Sequence, residues 1–196
     1  MLILASTSVY RRELLARLQI PFECMAPGTD ETPRPGERAY ALVARLAQAK
    51  ARAVAVRHPD AWVIGSDQVA VLPDDGTQRD SILGKPGSIA NCIDQLLECS
   101  GRTLSFVTAV AVVRHQDSSL FEFSVSSHVA FRQLDQATVE RYVARESPLD
   151  CAGGFKSESL GITLCESIDS ADPTALIGLP LIRLCAVLRA VGFELP

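Results

Sequence analysis

Apolar positions along this chain follow two alternating rhythms. Leu2 to Ala5 is a short, continuously apolar run, the pattern of a fully buried strand. Tyr10, Leu14, Leu15 and Leu18 then recur at helical spacing, with Ser8 placed to cap the helix they predict. A polar loop rich in proline runs from Pro27 to Pro35. Ala39 to Val56 reads as a long helix with Leu42, Val43, Leu46 and Ala49 on one face. Ala61 to Gly65 predicts a second buried strand, which Val69 to Leu72 would prolong, and Pro73 to Ser81 a turn-rich excursion around Asp75-Gly76. Ile89 to Cys99 predicts a helix closed by Ser100-Gly101. Thr103 to Arg114 and Leu120 to Arg132 predict a hairpin. A helix over Ala137 to Ala144, a glycine-rich loop over Cys151 to Gly161 and a final amphipathic helix over Pro180 to Ala190 complete the pattern.

Strands alternating with helices predict an α/β fold. No repeat, low-complexity tract or clear linker divides the 196 residues. The expectation is therefore one domain over residues 1–196, with room for a cleft between two lobes. Hydrophobic residues make up 47% of the chain and charged residues 21%, enough apolar surface for a sizeable core. The net charge of −4 argues against stable nucleic-acid binding. No apolar run reaches the about 20 residues of a membrane span, and Met1 to Ser6 lacks the basic region of a signal peptide. The six cysteines form no C-x-x-C pair, and the three histidines have no ligand spacing. Free, mostly buried thiols suit a reducing cytoplasm.

Four segments could carry chemistry. At Ala5-Ser6-Thr7-Ser8 a strand runs through a hydroxyl-rich turn into a helix bearing Arg11 and Arg12. A helix N-terminus favours anions, and Ser6 with the two guanidiniums could hold a polyphosphate. A capped helix with a solvated basic face accounts for the same residues. The segment lacks the glycines and lysine of a P-loop. Thr29-Asp30-Glu31-Thr32 offers two carboxylates for a hard cation or for proton transfer, or simply a solvated acidic loop. Gly65-Ser66-Asp67-Gln68 puts an aspartate at the carboxyl end of a buried strand, where ligands of α/β sheets gather. Lys50, Lys85 and Lys156 are the chain's only three lysines. Lys50 continues an apolar helix face, and Gly84 and Pro86 hold Lys85 in a tight backbone. Each could be a point charge for a phosphate or a snorkelling surface lysine.

Together these segments resemble the Maf family of nucleotide pyrophosphatases. The matching stretches are Leu4 to Ser8 with Arg11-Arg12, Asp30-Glu31, Leu46-Ala47 with Lys50-Ala51, Gly65-Ser66-Asp67-Gln68, Gly84-Lys85-Pro86, Ala152-Gly153-Gly154-Phe155 and Ile177-Gly178-Leu179-Pro180. They run in order over nearly the whole chain. The resemblance implies an elongated mixed β-sheet flanked by helices with a deep central cleft. It implies a cytoplasmic enzyme, frequently a homodimer, that splits a nucleoside triphosphate between the α- and β-phosphates with Mg²⁺ or Mn²⁺. Clearance of modified nucleotides would be its purpose, although members linked to septum inhibition raise a nucleotide-binding, division-regulating role instead. Onto this chain it maps Asp67, Glu31, Lys50 and Lys85 as catalytic residues and Glu31 and Asp67 as metal ligands. Ser6, Arg11 and Arg12 would hold the phosphates.

Within the family the chain looks closest to the branch acting on 7-methyl-GTP. The dTTP/UTP branch has Arg in place of Tyr10, Thr in place of Gln68 and Gln in place of Glu158. An aromatic face stacks well on the cationic 7-methylguanine ring. A carboxylate accepts from its N1–H and exocyclic amine together, and a pyrimidine would leave that carboxylate unpaired. Three features depart from the pattern. Tyr10 stands where the branch has Trp, Val9 where a Pro is common, and the stretch from Leu72 to Leu83 is longer than usual.

Overall fold

The computed structural model describes residues 1–73 and 81–196. The Asp75-Gly76 turn and most of the long stretch before Gly84 lie outside the described residues. Seven strands, β1 (Leu2–Leu4), β2 (Glu23–Cys24), β3 (Trp62–Leu72), β4 (Ser81–Leu83), β5 (Thr103–Arg114), β6 (Ser119–Phe131) and β7 (Cys165–Ser170), form one mixed sheet among those residues. Its order is β2-β1-β3-β5-β6-β7, with β4 paired to β3. The helices are α1 (Val9–Ala16), α2 (Ala39–Ala55), α3 (Ile89–Glu98), α4 (Gln136–Glu146) and α5 (Leu181–Ala190).

The α/β alternation, the long helix and the adjacent strands β5 and β6 stand as the apolar pattern predicts. Three corrections are needed. Strands β2, β4 and β7 carry too few apolar residues to announce themselves. The excursion ends in a strand, because Ser81–Leu83 pairs antiparallel with Ala70–Leu72. The glycine-rich loop contains two short 3-10 turns, Ala152–Gly154 and Leu160–Leu164.

The contacts divide the chain into two compact units. The first comprises Met1–Gln68, Thr108–Val125 and Asp172–Pro196. Its core gathers Leu2, Leu4, Leu14, Leu15, Ile64, Val110, Leu184 and Leu188, all at most 1% exposed. Each such leucine contributes about 2 kcal/mol by leaving water. Parallel pairing sets Leu2, Ile3 and Leu4 against Trp62, Val63 and Ile64. The second unit comprises Val69–Val107 and Ser126–Ala171. Phe155 packs there tilted against Phe106 and edge-on to Phe131, with ring centroids 5.8 and 5.1 Å away. Among the described residues no helix is long and apolar enough to cross a membrane.

Candidate active site

The first unit builds its site where β1 ends beside the buried strand β3. The Ala5 amide donates to the Ile64 carbonyl at 2.8 Å, extending the parallel pairing past β1. This register sets Ser6, just past the carboxyl end of β1, beside Gly65-Ser66-Asp67. The strand end expected at Asp67 is corrected, because β3 runs on to Leu72 and holds Asp67 within it. Helix α2 crosses β3 at Gly65. A Cβ there would meet the Ala47 carbonyl at 2.1 Å and the Ala51 nitrogen at 2.6 Å, so only glycine admits the helix. Lys50 lies on the same helix face as Leu42, Val43, Leu46 and Ala47, and is buried with them.

Close approach of helix to strand delivers the Lys50 ammonium to the Asp67 carboxylate, Nζ to Oδ1 at 2.7 Å. The same Nζ lies 2.7 Å from Glu31 Oε1. Lysine and aspartate side chains are 6% and 9% exposed, whereas that of Glu31 is 52% exposed. The triad is therefore a buried ion pair with one open carboxylate. Burial raises the Asp67 pKa, against the opposing pull of Lys50 and then Arg11; Glu31 adds a small upward push.

The loop carrying Glu31 has its own clamp. Arg45, on α2, forks onto Glu37 with Nε to Oε1 at 2.6 Å and Nη2 to Oε2 at 2.7 Å. Arg45 Nη2 also donates to the Thr32 carbonyl at 3.2 Å. Glu37 accepts the Arg34 amide, and its carboxyl is held down at about 2 by Arg45 first and that amide second. Asp30 Oδ1 accepts both the amide and the hydroxyl of Thr32. Glu31 thus sits between an Asx turn and a bidentate arginine.

On the β1–α1 turn Ser6 Oγ accepts the Ser8 amide at 3.1 Å, and Ser8 Oγ accepts the Arg11 amide at 3.4 Å, the expected cap. Ser6, Thr7, Ser8, Val9, Arg12, Cys24 and Ala26 line a pocket of about 160 Å³. Tyr10 and Arg11 are half-buried on α1, and Arg12 is exposed. Desolvation lowers the Arg11 pKa, with the charges of Asp67 and Glu31 opposing it. Arg11 Nε donates to the Gly178 carbonyl at 3.0 Å, and Ser66 Oγ donates to the same oxygen at 2.9 Å. Gln68, expected to face a base, turns its amide nitrogen to Thr108 Oγ1 and to the carbonyls of Ala175 and Leu176.

Lys85 and Glu158 belong to the second unit, both exposed. The Gly153 amide donates to the Gly84 carbonyl at 3.1 Å, so the Gly84-Lys85-Pro86 and Ala152 to Phe155 stretches meet there. Gly153 and Gly154 both have φ of 63°, and a Cβ on Gly154 would strike Cys92 Sγ at 2.6 Å. The Glu158 loop is tied to α4: Glu146 Oε2 accepts the Ser159 hydroxyl and the Leu160 amide, and Tyr142 accepts the Lys156 amide. Glu158 Oε2 accepts the Ser157 hydroxyl at 3.4 Å.

Of the residues singled out, the first unit holds Ser6, Tyr10, Arg11, Arg12, Glu31, Lys50, Asp67 and Gln68, and brings Glu31, Lys50 and Asp67 into direct contact. Sequence reasoning missed Arg45, Glu37, Asp172 and Thr174, whose partners are side chains and amides several turns away. Asp172, 1% exposed, caps α5 by accepting the Ile182 amide at 2.7 Å and also accepts the Thr174 hydroxyl at 2.8 Å.

Comparison with known proteins agrees with this arrangement of segments. The family model described as Maf-like protein matches residues 1–191. The 7-methyl-GTP pyrophosphatase of Aromatoleum aromaticum is 54% identical over 195 residues, covering 100% of this chain and 97% of its own. That of Pseudomonas fluorescens is 49% identical, covering 100% and 98%. A HAM1 protein from Coxiella burnetii shares the fold, with a TM-score of 0.51 over 96% of this chain and 98% of its own at 14% identity.

Proposed function

The chain belongs to the Maf family, and from that membership we propose that it hydrolyses 7-methyl-GTP to 7-methyl-GMP and diphosphate. The observation carrying the proposal is the buried Lys50–Asp67 pair completed by Glu31, in a chain about half identical to relatives named for that reaction. The names of those relatives support the substrate; the triad supports the chemistry.

Lys50 takes one oxygen from each carboxylate, which leaves Asp67 Oδ2 and Glu31 Oε2 as hard donors on the two side chains. No cluster of three His, Cys, Asp or Glu that could hold a metal occurs among the described residues. Such a donor set fits Mg²⁺ or Mn²⁺ held by two carboxylates and the substrate's own phosphates. When bound, the ion supplies charge neutralisation on the phosphate oxygens.

Ser6, Arg11 and Arg12 bind the phosphates at the N-terminus of α1, and Lys85 contributes a further cation. Asp67 takes a proton from water as the water oxygen bonds to the α-phosphorus. The bond from that phosphorus to the α–β bridging oxygen breaks, and diphosphate leaves with the electron pair. Lys50 keeps Asp67 ionised in its buried setting. Tyr10 stacks on the methylated base and Glu158 accepts from its N1–H and amine.

Release of pyrophosphate by purified protein from 7-methyl-GTP, GTP, dTTP and UTP, with Mg²⁺ or Mn²⁺, tests the proposal. The expected result is the highest kcat/KM on 7-methyl-GTP. A preference for dTTP or UTP overturns the substrate. A nucleotide bound tightly yet intact after overnight incubation overturns the enzymatic reading in favour of a binding regulator.

A further inference from the structure

Among the segments that carry the resemblance, Ile177-Gly178-Leu179-Pro180 has so far had no chemistry attached to it. Its surroundings supply one. The segment from Asp172 to Pro180 is held at every step by side chains of the first unit. At its start Asp172 accepts the Thr174 hydroxyl and the first amides of α5. In its middle Thr108 Oγ1 donates to the Ala175 carbonyl at 2.8 Å. Gln68 Nε2 reaches that carbonyl, the Leu176 carbonyl and Thr108 itself at 2.8 to 3.0 Å. Near its end Thr174 Oγ1 accepts the Leu181 amide at 2.8 Å and lies 2.8 Å from the Leu179 carbonyl, its one proton shared between that carbonyl and Asp172.

Gly178 is tied into this network, its amide donating to the Ala175 carbonyl at 2.9 Å. The Gly178 carbonyl accepts Arg11 Nε at 3.0 Å and Ser66 Oγ at 2.9 Å, so both of its lone pairs are engaged. Gly178 has φ of 120°, and a Cβ there would stand 3.3 Å from Arg11 Nε. The position thus demands glycine for its backbone, and the arginine lies closely against it. A guanidinium anchored through Nε presents its two terminal nitrogens as a fork in one fixed plane, the geometry that matches a phosphate. Ser66 ties the same carbonyl to the strand residue next to Asp67. The phosphate cation and the general base are then referenced to one shared backbone atom.

We infer that the 172–180 segment is a positioning brace that aims Arg11, and that Gln68 and Thr108 serve the brace. Gln68 therefore acts on the phosphates through Arg11. This inference rests on the reading of Arg11 as a phosphate ligand.

Thr108 is the place to test it, because it is fully buried and touches the brace at Ala175 alone among the loop's carbonyls. Thr108→Val keeps the shape and removes the hydroxyl, whereas Thr108→Ser keeps the hydroxyl. Each is made in the wild-type and Arg11→Ala backgrounds. Steady-state kinetics with 7-methyl-GTP and inhibition by inorganic pyrophosphate are the readouts. Thr108→Val should lower kcat/KM about tenfold or more and weaken pyrophosphate inhibition, and Thr108→Ser should restore both. In the Arg11→Ala background Thr108→Val should add nothing. Ser66→Ala, which deletes the second donor to Gly178, should behave as Thr108→Val does and covers the case in which the valine variant does not fold. Losses that multiply with Arg11→Ala, or wild-type kinetics in a folded Thr108→Val or Ser66→Ala protein, overturn the brace. Wild-type kcat/KM in Arg11→Ala alone instead overturns the phosphate role of Arg11, and the brace with it.

Discussion

The carbonyl oxygen of Ala47 stands 2.1 Å from the point that a Cβ on Gly65 would occupy. The distance belongs to the backbone of α2, which cannot rotate away as a flexible side chain could. Glycine at 65 is what lets the helix lie on β3, and the helix is what carries Lys50 to Asp67. Gly65→Ala should therefore cost at least about 3 kcal/mol of stability by overpacking. Urea unfolding followed by circular dichroism measures it. Turnover should fall with it, since α2 must shift by more than the hydrogen-bond tolerance of a 2.7 Å pair. A loss below about 1 kcal/mol would show that helix and strand part easily, and would remove the packing account of the site.

Asp67 titrates under opposed forces, and the net shift is upward from an ordinary value of 3.8. Burial is the largest cause, with Lys50 the principal opposing charge. A base must be ionised, so kcat/KM should rise with pH through a value above the ordinary 3.8. Lys50→Met removes the main opposing charge and should move that acid limb to higher pH, whatever it does to the maximal rate. Asp67→Asn should bind nucleotide yet lose turnover on the order of 10²- to 10⁴-fold. For stability the sign runs the other way. A raised carboxyl pKa gives a contribution fully present below 3.8 and lost as pH rises through the folded value. Urea midpoints of wild type should carry that decline across mildly acidic pH, and those of Asp67→Asn should not. An acid limb unmoved by Lys50→Met would remove Asp67 as the titrating base.

What could be read from sequence follows how local each signal was. The apolar runs of β1 and β3 and the helical face of α2 are dictated by a few neighbouring residues, and they put Lys50 on the buried face of α2 and Asp67 on β3, though inside that strand and not at its end. Strand β7 reads Cys-Glu-Ser-Ile-Asp-Ser, with most positions exposed, and exists because it pairs with β6. Strand β2 is two exposed residues on the edge of the sheet. The site divides in the same way. Asp67 directly after the apolar run of β3 is a local signal. The bond from Arg45 to Glu37 joins a helix to a loop eight residues back, and Asp172 caps a helix that begins nine residues later. Neither leaves a periodic trace. Gln68 is assigned to the base by resemblance, because the dTTP/UTP branch has Thr in its place; only the folded loop shows that its amide nitrogen faces backbone carbonyls.

Arg45 gives a prediction of its own. Its fork to Glu37 and its bond to the Thr32 carbonyl hold the loop on either side of Glu31. Arg45→Ala should leave the fold intact and weaken apparent activation by Mg²⁺ or Mn²⁺ by about 10- to 100-fold, the usual effect of losing a group that orients a metal-binding carboxylate. Arg45→Lys should rescue little, because an ammonium cannot reproduce two parallel bonds to one carboxylate. In a Glu31→Ala background Arg45→Ala should have no further effect. Metal titrations of the initial rate decide the matter, and an unchanged activation constant in Arg45→Ala would mean that the loop keeps its geometry without the clamp.

Glu158 tests the choice of base. It lies on a loop fastened by Glu146 to Ser159 and Leu160 and by Tyr142 to Lys156, so its backbone is held from both sides. A carboxylate there can accept two hydrogen bonds from a guanine edge, and the positive charge of a 7-methylated ring strengthens both. Glutamine keeps the size but substitutes a donor for one acceptor and removes the charge. Glu158→Gln should lower kcat/KM for 7-methyl-GTP about 10- to 100-fold, the value of a lost charge-assisted bond. The loss for unmethylated GTP should be smaller, since its ring carries no positive charge. Activity on dTTP and UTP should hold or rise, because a pyrimidine no longer leaves a carboxylate unpaired. Glu146→Gln serves as the loop control: it loosens the fastening without altering the group offered to the base, and should depress all four substrates alike. Equal losses on all four in Glu158→Gln would reduce Glu158 to the same structural part and leave base selection to Tyr10.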